Sequence, residues 1–291
     1  MPTAPRVSIV IPLFDDVETV AAALESCLAQ TLDEVEIICV DDASTDGTAD
    51  VVERFQKRDS RIRLLRHSRN VTALQARRAG VIEAAAPHVL FLDGDDELLP
   101  DAAQKALAAA TRHDADLVGF GTEVVTPDGR IVGGYQNRLA PQHSALSGTG
   151  VLGGLFPSGE PAQGQLWRFL FRTAVVRKAY ELVPTDLALP RVNDLPLLFL
   201  VAALANSYVS TTASTDITTG EAAAGRRSRP SIRRTSTPTR SDRSTASNPP
   251  SVRSRAPAAT PRFCSMPTTP PGCRSSDTCS RISWHTRLRT S

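Results

Sequence analysis

The chain has 291 residues, 41% of them hydrophobic and 22% charged, with a formal net charge of +2. That is enough apolar material for a packed core and sets aside a wholly disordered chain. Its longest apolar run, Leu195 to Ala205, is broken by Pro196 and too short to cross a bilayer. The charge is unevenly divided: residues 1–220 carry 19 Lys and Arg against 28 Asp and Glu, whereas residues 221–291 carry 14 Arg, no Lys and 3 acidic residues. An acidic main part argues against nucleic acid as a partner. The N-terminus enters an apolar segment directly, with no secretory signal, so a cytoplasmic protein is expected, with peripheral contact at the inner face of the membrane left open. Cys27 and Cys39 lie in apolar segments and read as reduced core residues.

Val7–Leu13 is a continuous apolar run, as in a parallel strand buried on both faces. Asp16–Ala29 shows helical spacing, with Val17, Val20, Leu24, Cys27 and Leu28 on one stripe. Val35–Val40 predicts a second buried strand, and Asp46 or Thr48 caps a helix running to Phe55. Ile62–Leu65 is a short third strand, Thr72–Ala86 a helix ended by Pro87, His88–Leu92 a fourth strand and Asp101–His113 another helix. Strands alternating with helices imply an α/β fold with a mostly parallel sheet and right-handed crossovers. After this the pattern changes. Asp116–Val125 and Arg130–Val132, joined by the turn Thr126–Gly129, predict a strand pair. Gln136–Gln163 is rich in Gly, Ser and Pro and reads as a long loop. Gln165–Tyr180 reads as an amphipathic helix, with Trp167 anchoring it in the core rather than stacking on a sugar, and Arg168 and Arg172 on one face, solvated rather than bound to an anionic group. A last helix starts at Asn193 or Asp194 and runs to Ala205, followed by a strand at Tyr208–Thr211.

The acidic groups fall at strand ends: Asp15-Asp16 after the first, Asp41-Asp42 after the second and Asp93-Gly94-Asp95-Asp96 after the fourth. Ligands of open α/β sheets bind at the carboxyl ends of the strands. Carboxylates this concentrated repel one another unless a cation joins them, and oxygen-only ligands suit Mg²⁺ or Mn²⁺. Asp93 and Asp95, two apart, point to one side if the backbone is extended, and Gly94 then admits a ligand close to the main chain. The competing reading is a solvated loop in which Asp96 or Asp101 caps the following helix. His88, His113 and His143 have no metal-ligand spacing.

With these residues placed, the chain resembles a family 2 glycosyltransferase of the GT-A fold. The resemblance is carried by VSIVIPLFDD at 7–16, SCLAQTLDEVEIICVDDASTDGT at 26–48, ARRAG at 76–80, FLDGDDELLP at 91–100, LWRFLFRTAVVRKAY at 166–180 and VNDLPLLFLVAAL at 192–204. It covers about residues 6–212. It implies a nucleotide-diphosphate sugar donor, a divalent metal and inverting transfer to a saccharide, lipid-linked or other hydroxyl acceptor, as in cell-surface polysaccharide or glycolipid synthesis. By position, Pro12, Phe14, Asp42, Arg77, Asp93 and Gly94 belong to the donor side, with Asp42 on the nucleobase. Asp93 and Asp95 match the DXD metal motif, and Asp194 matches the catalytic base. Four positions depart from the family's common residues: Asp15 for Asn, Thr72 for Gly, Arg78 for Asn and Asn193 for Glu. A nucleotide-sugar-binding protein without turnover is the alternative if C-terminal contacts are lost. A sugar nucleotidyltransferase is disfavoured, because PLFDD stands where that class has a Gly-rich basic loop.

Residues 213–291 are dominated by Ser, Thr, Pro, Arg and Ala without helical or strand periodicity, and a disordered tail is expected. A basic tail, a plain linker and a frameshifted product are the three readings, of which the third is favoured. Back-translating Asp216 to Ala222 with C or G at third positions and reading from the third base gives His-His-His-Arg-Arg-Gly. That is similar to the segment with which related transferases follow their last core strand. Sequencing the coding DNA decides it: without a shifted frame that extends the family pattern, the reading fails. Cys264, Cys273 and Cys279 in this tail lack the spacing of a zinc site.

Overall fold

The computed structural model describes residues 3–122, 139–187, 189 and 193–211, and the backbone of 123–125 and 217–220. In chain order the elements are β1 (Val7–Leu13), α1 (Val20–Leu28), β2 (Val35–Asp41), α2 (Thr48–Gln56), β3 (Ile62–Arg66), α3 (Ala73–Glu83), β4 (His88–Phe91) and β5 (Asp96–Leu98). They continue as α4 (Ala102–His113), β6 (Leu117–Gly119), β7 (Glu123–Val125), β8 (Ala145–Ser147), α5 (Gly150–Leu155), β9 (Phe169–Arg172), α6 (Thr173–Glu181), α7 (Asp194–Leu204), β10 (Ser207–Ser210) and β11 (Ile217–Gly220).

Eight strands form one sheet in the order β3-β2-β1-β4-β9-β6-β10-β8, and β5, β11 and β7 form a second, small one. β1 is parallel to both β2 and β4, and β2 to β3. This is the mostly parallel α/β arrangement expected from the alternating pattern. Every residue of β1 and β2 is buried, because helices cover both faces. Alternation along β1 divides the core in two. Val7, Ile9, Ile11 and Leu13 pack with Leu24 and Cys27 of α1 and Val52 and Phe55 of α2. Val10 packs on the other face with Leu74 and Val81 of α3 and Val176 of α6. Gly80 brings α3 so close to β1 that a Cβ there would lie 2.4 Å from Val10 Cγ1. α3 stops at Glu83 and not at Ala86, as the sequence predicts, because the buried Glu36 carboxylate accepts the amides of Ala85 and Ala86, at 2.6 and 3.1 Å.

Beyond β4 the structure corrects several expectations. Gln165–Tyr180 is not one helix: a 3₁₀ turn at Leu166–Arg168 leads into β9, and the helix starts only at Thr173. β9 is antiparallel to β4 and β6 on its two sides, so Phe169, Leu170 and Phe171 are all buried. A short run apolar on both faces has no period to separate strand from helix. Trp167 packs against the first core from the 3₁₀ turn. Arg168 and Arg172 do not share a solvated face. Arg168 is buried, donating to Gln165 Oε1 at 3.2 Å, and Arg172 binds Asp116 Oδ1 at 2.7 Å and Asp114 Oδ1 at 2.6 Å. The segment expected as a loop from 136 contains β8 and α5, the latter held by buried Val151 and Leu155, one turn apart, despite three glycines. Asp116–Val125 is split into β6 and β7, which belong to different sheets. The expected strand at Arg130–Val132 lies outside the described residues. β11 falls past the expected boundary at 212 and pairs with both β5 and β7.

Candidate functional site

The site lies where β1, β2 and β4 end. Pro12 is buried in β1, in register with Val40. Phe14, directly after the strand, is about half exposed (48%) and lies beside Asp15 and Asp16. Asp15 has φ of 54° and its carboxylate accepts Thr45 N–H at 2.8 Å, while its own N–H donates to Ser44 Oγ at 3.0 Å. Asp16 N–H donates to Thr48 Oγ1 at 2.8 Å, so the loop after β1 is pinned to the start of α2.

The residues from Asp93 to Asp96 form a turn, with Asp96 N–H donating to Asp93 O at 3.1 Å. The extended geometry expected for Asp93 and Asp95 is therefore replaced by a bend, and it is the bend that collects the carboxylates. Asp93, Asp95 and Asp96 each present an oxygen within 4.8 Å of the others. Three hard oxygen donors at this spacing fit a divalent cation of the Mg²⁺ or Mn²⁺ type. In the competing reading Asp96 or Asp101 caps the next helix; Asp96 opens β5 instead, and Asp101, at the start of α4, pairs with Lys105 at 2.7 Å. The place of Asp96 in the same four-residue acidic run was the available signal. The space beside Gly94 is filled by protein, not left for a ligand. A Cβ there would lie 2.6 Å from Leu13 Cδ2 and 2.8 Å from Asp16 Oδ2. That contact brings the ends of β1 and β4 together.

Asp42 is buried, and its two oxygens are engaged by one segment. Oδ1 lies 2.8 Å from His67 Nδ1 and accepts Val71 N–H at 2.9 Å, and Oδ2 accepts Thr72 N–H at 2.9 Å. Thr72, where the resembling family commonly has Gly, has φ of 84° and ψ of 154°.

Asp194 is the first residue of α7. Arg77 of α3 connects it to the acidic turn. Arg77 Nη1 donates to Asp194 Oδ1 at 2.8 Å and to Asn193 Oδ1 at 3.0 Å, and Nη2 donates to Asp93 Oδ1 at 2.7 Å. Arg77 is 2% exposed. Burial disfavours its charge, but Asp194 and Asp93 outweigh that and push the guanidinium above its ordinary value. Tyr180 of α6 donates its hydroxyl to Leu74 O at 3.2 Å, and burial pushes its phenol up. Asn193 was marked in the sequence by its place before Asp194, but its bond to Arg77 was not; Tyr180, whose hydroxyl goes to Leu74 O, carries no sequence signal for its place near Arg77.

The fold is a mostly parallel α/β sheet with acidic strand ends, and the comparisons name the family. The model for glycosyl transferase family 2 matches residues 8–158, just over half of the chain, and the chain belongs to that family. The uncharacterized glycosyltransferase EpsJ of Bacillus subtilis is 33% identical over 184 residues, 63% of this chain and 52% of EpsJ. The succinoglycan biosynthesis protein ExoO of Rhizobium meliloti is 34% identical over 126 residues, 43% of this chain and 36% of ExoO. This chain thus spans about half or less of the curated relatives it matches. Among solved structures, S. aureus TarS 1-349 in complex with UDP-GlcNAc superposes with a TM-score of 0.60 at 19% identity, over 74% of this chain and 58% of that one. The mannosyltransferase PcManGT from Pyrobaculum calidifontis, in complex with GDP-Man and Mn²⁺, gives 0.54 at 17% identity, over 74% and 57%. These likenesses establish the fold.

Proposed function

We propose that this chain is a metal-dependent, inverting glycosyltransferase. It moves a sugar from a nucleotide-diphosphate donor to an acceptor hydroxyl, in polysaccharide or glycolipid synthesis. The observation that carries the reading is two carboxylate stations held together by one guanidinium at the strand ends: the Asp93–Asp95–Asp96 cluster and Asp194. The names of ExoO, TarS and PcManGT support polysaccharide chemistry, a nucleotide-sugar donor and Mn²⁺.

Asp93 and Asp95, with Asp96, hold the divalent ion. When bound, it supplies positive charge to the diphosphate leaving group. Phe14 offers an exposed ring at the end of β1 for the base or ribose, two residues after buried Pro12. Asp42 shapes the nucleobase side through the 67–72 segment that it clasps. Asp194 takes the proton of the attacking hydroxyl on the face away from the leaving group, which gives inversion at the anomeric carbon. No helix among the described residues is long and apolar enough to cross a membrane.

Thermal shift with UDP, GDP and dTDP, in Mn²⁺ and in EDTA, tests the donor side. One nucleotide at about a hundred times its Kd stabilises by about 2.7 kcal/mol. That shift needs Mn²⁺ and is lost in Asp95→Ala. Asp194→Asn keeps the shift and lowers kcat by about 10²–10⁴-fold. Metal-dependent binding with no turnover of any sugar nucleotide by the unsubstituted chain would instead establish the alternative, a nucleotide-sugar-binding protein. No shift with any nucleotide would overturn both.

A further inference from the structure

Arg77 was expected on the donor side, yet its two Nη atoms are turned to Asn193, Asp194 and Asp93, and its Nε is buried with no hydrogen-bond partner. Nη1 is shared by Asn193 and Asp194, and Nη2 is held by Asp93. With 2% of its surface exposed, the guanidinium presents almost nothing to a phosphate outside the protein. We infer that Arg77 is a positioning residue: it sets the metal-side carboxylate Asp93 and the base Asp194 at a fixed separation and orientation, and does not touch the donor. The inference rests on the roles given above to Asp93 and Asp194.

Three observations carry it. First, the two carboxylates come from segments 16 and 117 residues away from Arg77, so no local backbone geometry relates them. A planar guanidinium with its nitrogens at fixed spacing relates them directly. Second, the helix that carries Arg77 is itself fixed. Gly80 is pressed onto Val10, Gln75 donates to the carbonyls of Pro184 and Leu187 at 3.1 Å each, and Arg78 donates to Val183 O at 3.1 Å. Third, a cation beside a cation site opposes metal binding by its charge alone. Placing Arg77 against Asp93 costs metal affinity unless the arginine contributes position. Asn193, by accepting from the same Nη1 as Asp194, narrows the directions from which α7 can approach.

The charge argument gives the test its sign. Mn²⁺ alone is titrated into the full-length chain by calorimetry, for the unsubstituted protein and for Arg77→Gln, Arg77→Lys and Asn193→Ala. Steady-state kinetics follow with the nucleotide sugar that the unsubstituted chain turns over. If Arg77 positions, Arg77→Gln raises the Mn²⁺ dissociation constant by about tenfold or more. It lowers kcat by about 10²-fold while the donor KM moves by less than about threefold. Arg77→Lys keeps the charge without the fork and recovers part of kcat. Tighter Mn²⁺ binding in Arg77→Gln would mean that charge alone acts there, and a raised donor KM with unchanged kcat would mean a direct donor contact. Either result overturns the inference. If Arg77→Gln does not melt cooperatively, Asn193→Ala decides, because it removes one acceptor and leaves the ion pairs. A fall in kcat at constant donor KM supports positioning, and an unchanged kcat overturns it. If no donor is turned over by the unsubstituted chain, the proposed activity fails, and the Mn²⁺ titrations still decide whether Arg77 orders the acidic turn.

Discussion

At the scale of single residues, Thr72 is the most strained position near the site. Its φ of 84° with ψ of 154° lies in a region that only glycine occupies freely, and its hydroxyl is buried with no hydrogen-bond partner. The conformation persists because Thr72 N–H and Val71 N–H both donate to Asp42. Thr72→Gly keeps that amide and removes the clash, so it should stabilise the protein by about 1 kcal/mol after the entropy glycine loses on folding. Urea unfolding of the two proteins checks this, and equal or lower stability in the glycine variant would count against strain at this residue. The sequence marks Thr72 as a departure from a resembling family. Only the backbone angles show why glycine suits the position.

At the scale of elements, loop and helix are tied by Asp46. Its carboxylate accepts Val17 N–H at 3.0 Å and both Thr48 N–H and Thr48 Oγ1–H, at 2.9 and 2.6 Å, joining the loop after β1 to the start of α2. Burial raises its pKa, but the Thr48 and Val17 hydrogen bonds lower it further, to below the ordinary 3.8. A depressed folded value means that the carboxylate stabilises the fold above pH 3.8, and that this contribution disappears as pH falls through the folded pKa. Asp46→Asn should therefore be less stable than the parent near neutrality, and the two acid limbs should converge at low pH. A constant gap down to acid would show that the charge is not what matters. Gly80 decides how α3 sits on β1. Gly80→Ala forces a methyl against Val10 and should cost about 1–3 kcal/mol in the same urea experiment. The elements that sequence reasoning misread share a cause. β9 and α5 take their form from neighbours distant in the chain: β9 from β4 and β6, α5 from burial of Val151 and Leu155. Periodicity within a short window carries no record of such neighbours.

At the scale of the whole molecule, the sheet buries groups that would otherwise react. Cys27 and Cys39 are completely buried on the face of the sheet covered by α1 and α2. Burial pushes the Cys27 thiol up to about 12 and the Cys39 thiol further in the same direction. Neither forms thiolate near neutrality. Iodoacetamide at about pH 8 should leave both unmodified in the native protein and alkylate both once it is unfolded, as read by peptide mass spectrometry. Labelling of Cys27 in the native state would mean that α1 opens locally.

What the sequence determined by itself is the parallel half of the sheet and the acidic character of its edge. Continuous apolar runs such as Val7–Leu13 leave a strand no exposed face, and carboxylates that directly follow such runs must emerge at the strand ends. What only the tertiary structure decided is how those groups meet. The Asp93–Asp96 bend gathers three carboxylates, Asp42 turns to the 67–72 segment, and Arg77 joins Asp93 to Asp194 across 16 and 117 residues. Strand and helix signals are local because they arise from backbone geometry a few residues long. A buried ion-pair bridge is set by packing among α3, the end of β4 and α7, and no spacing along the chain encodes it.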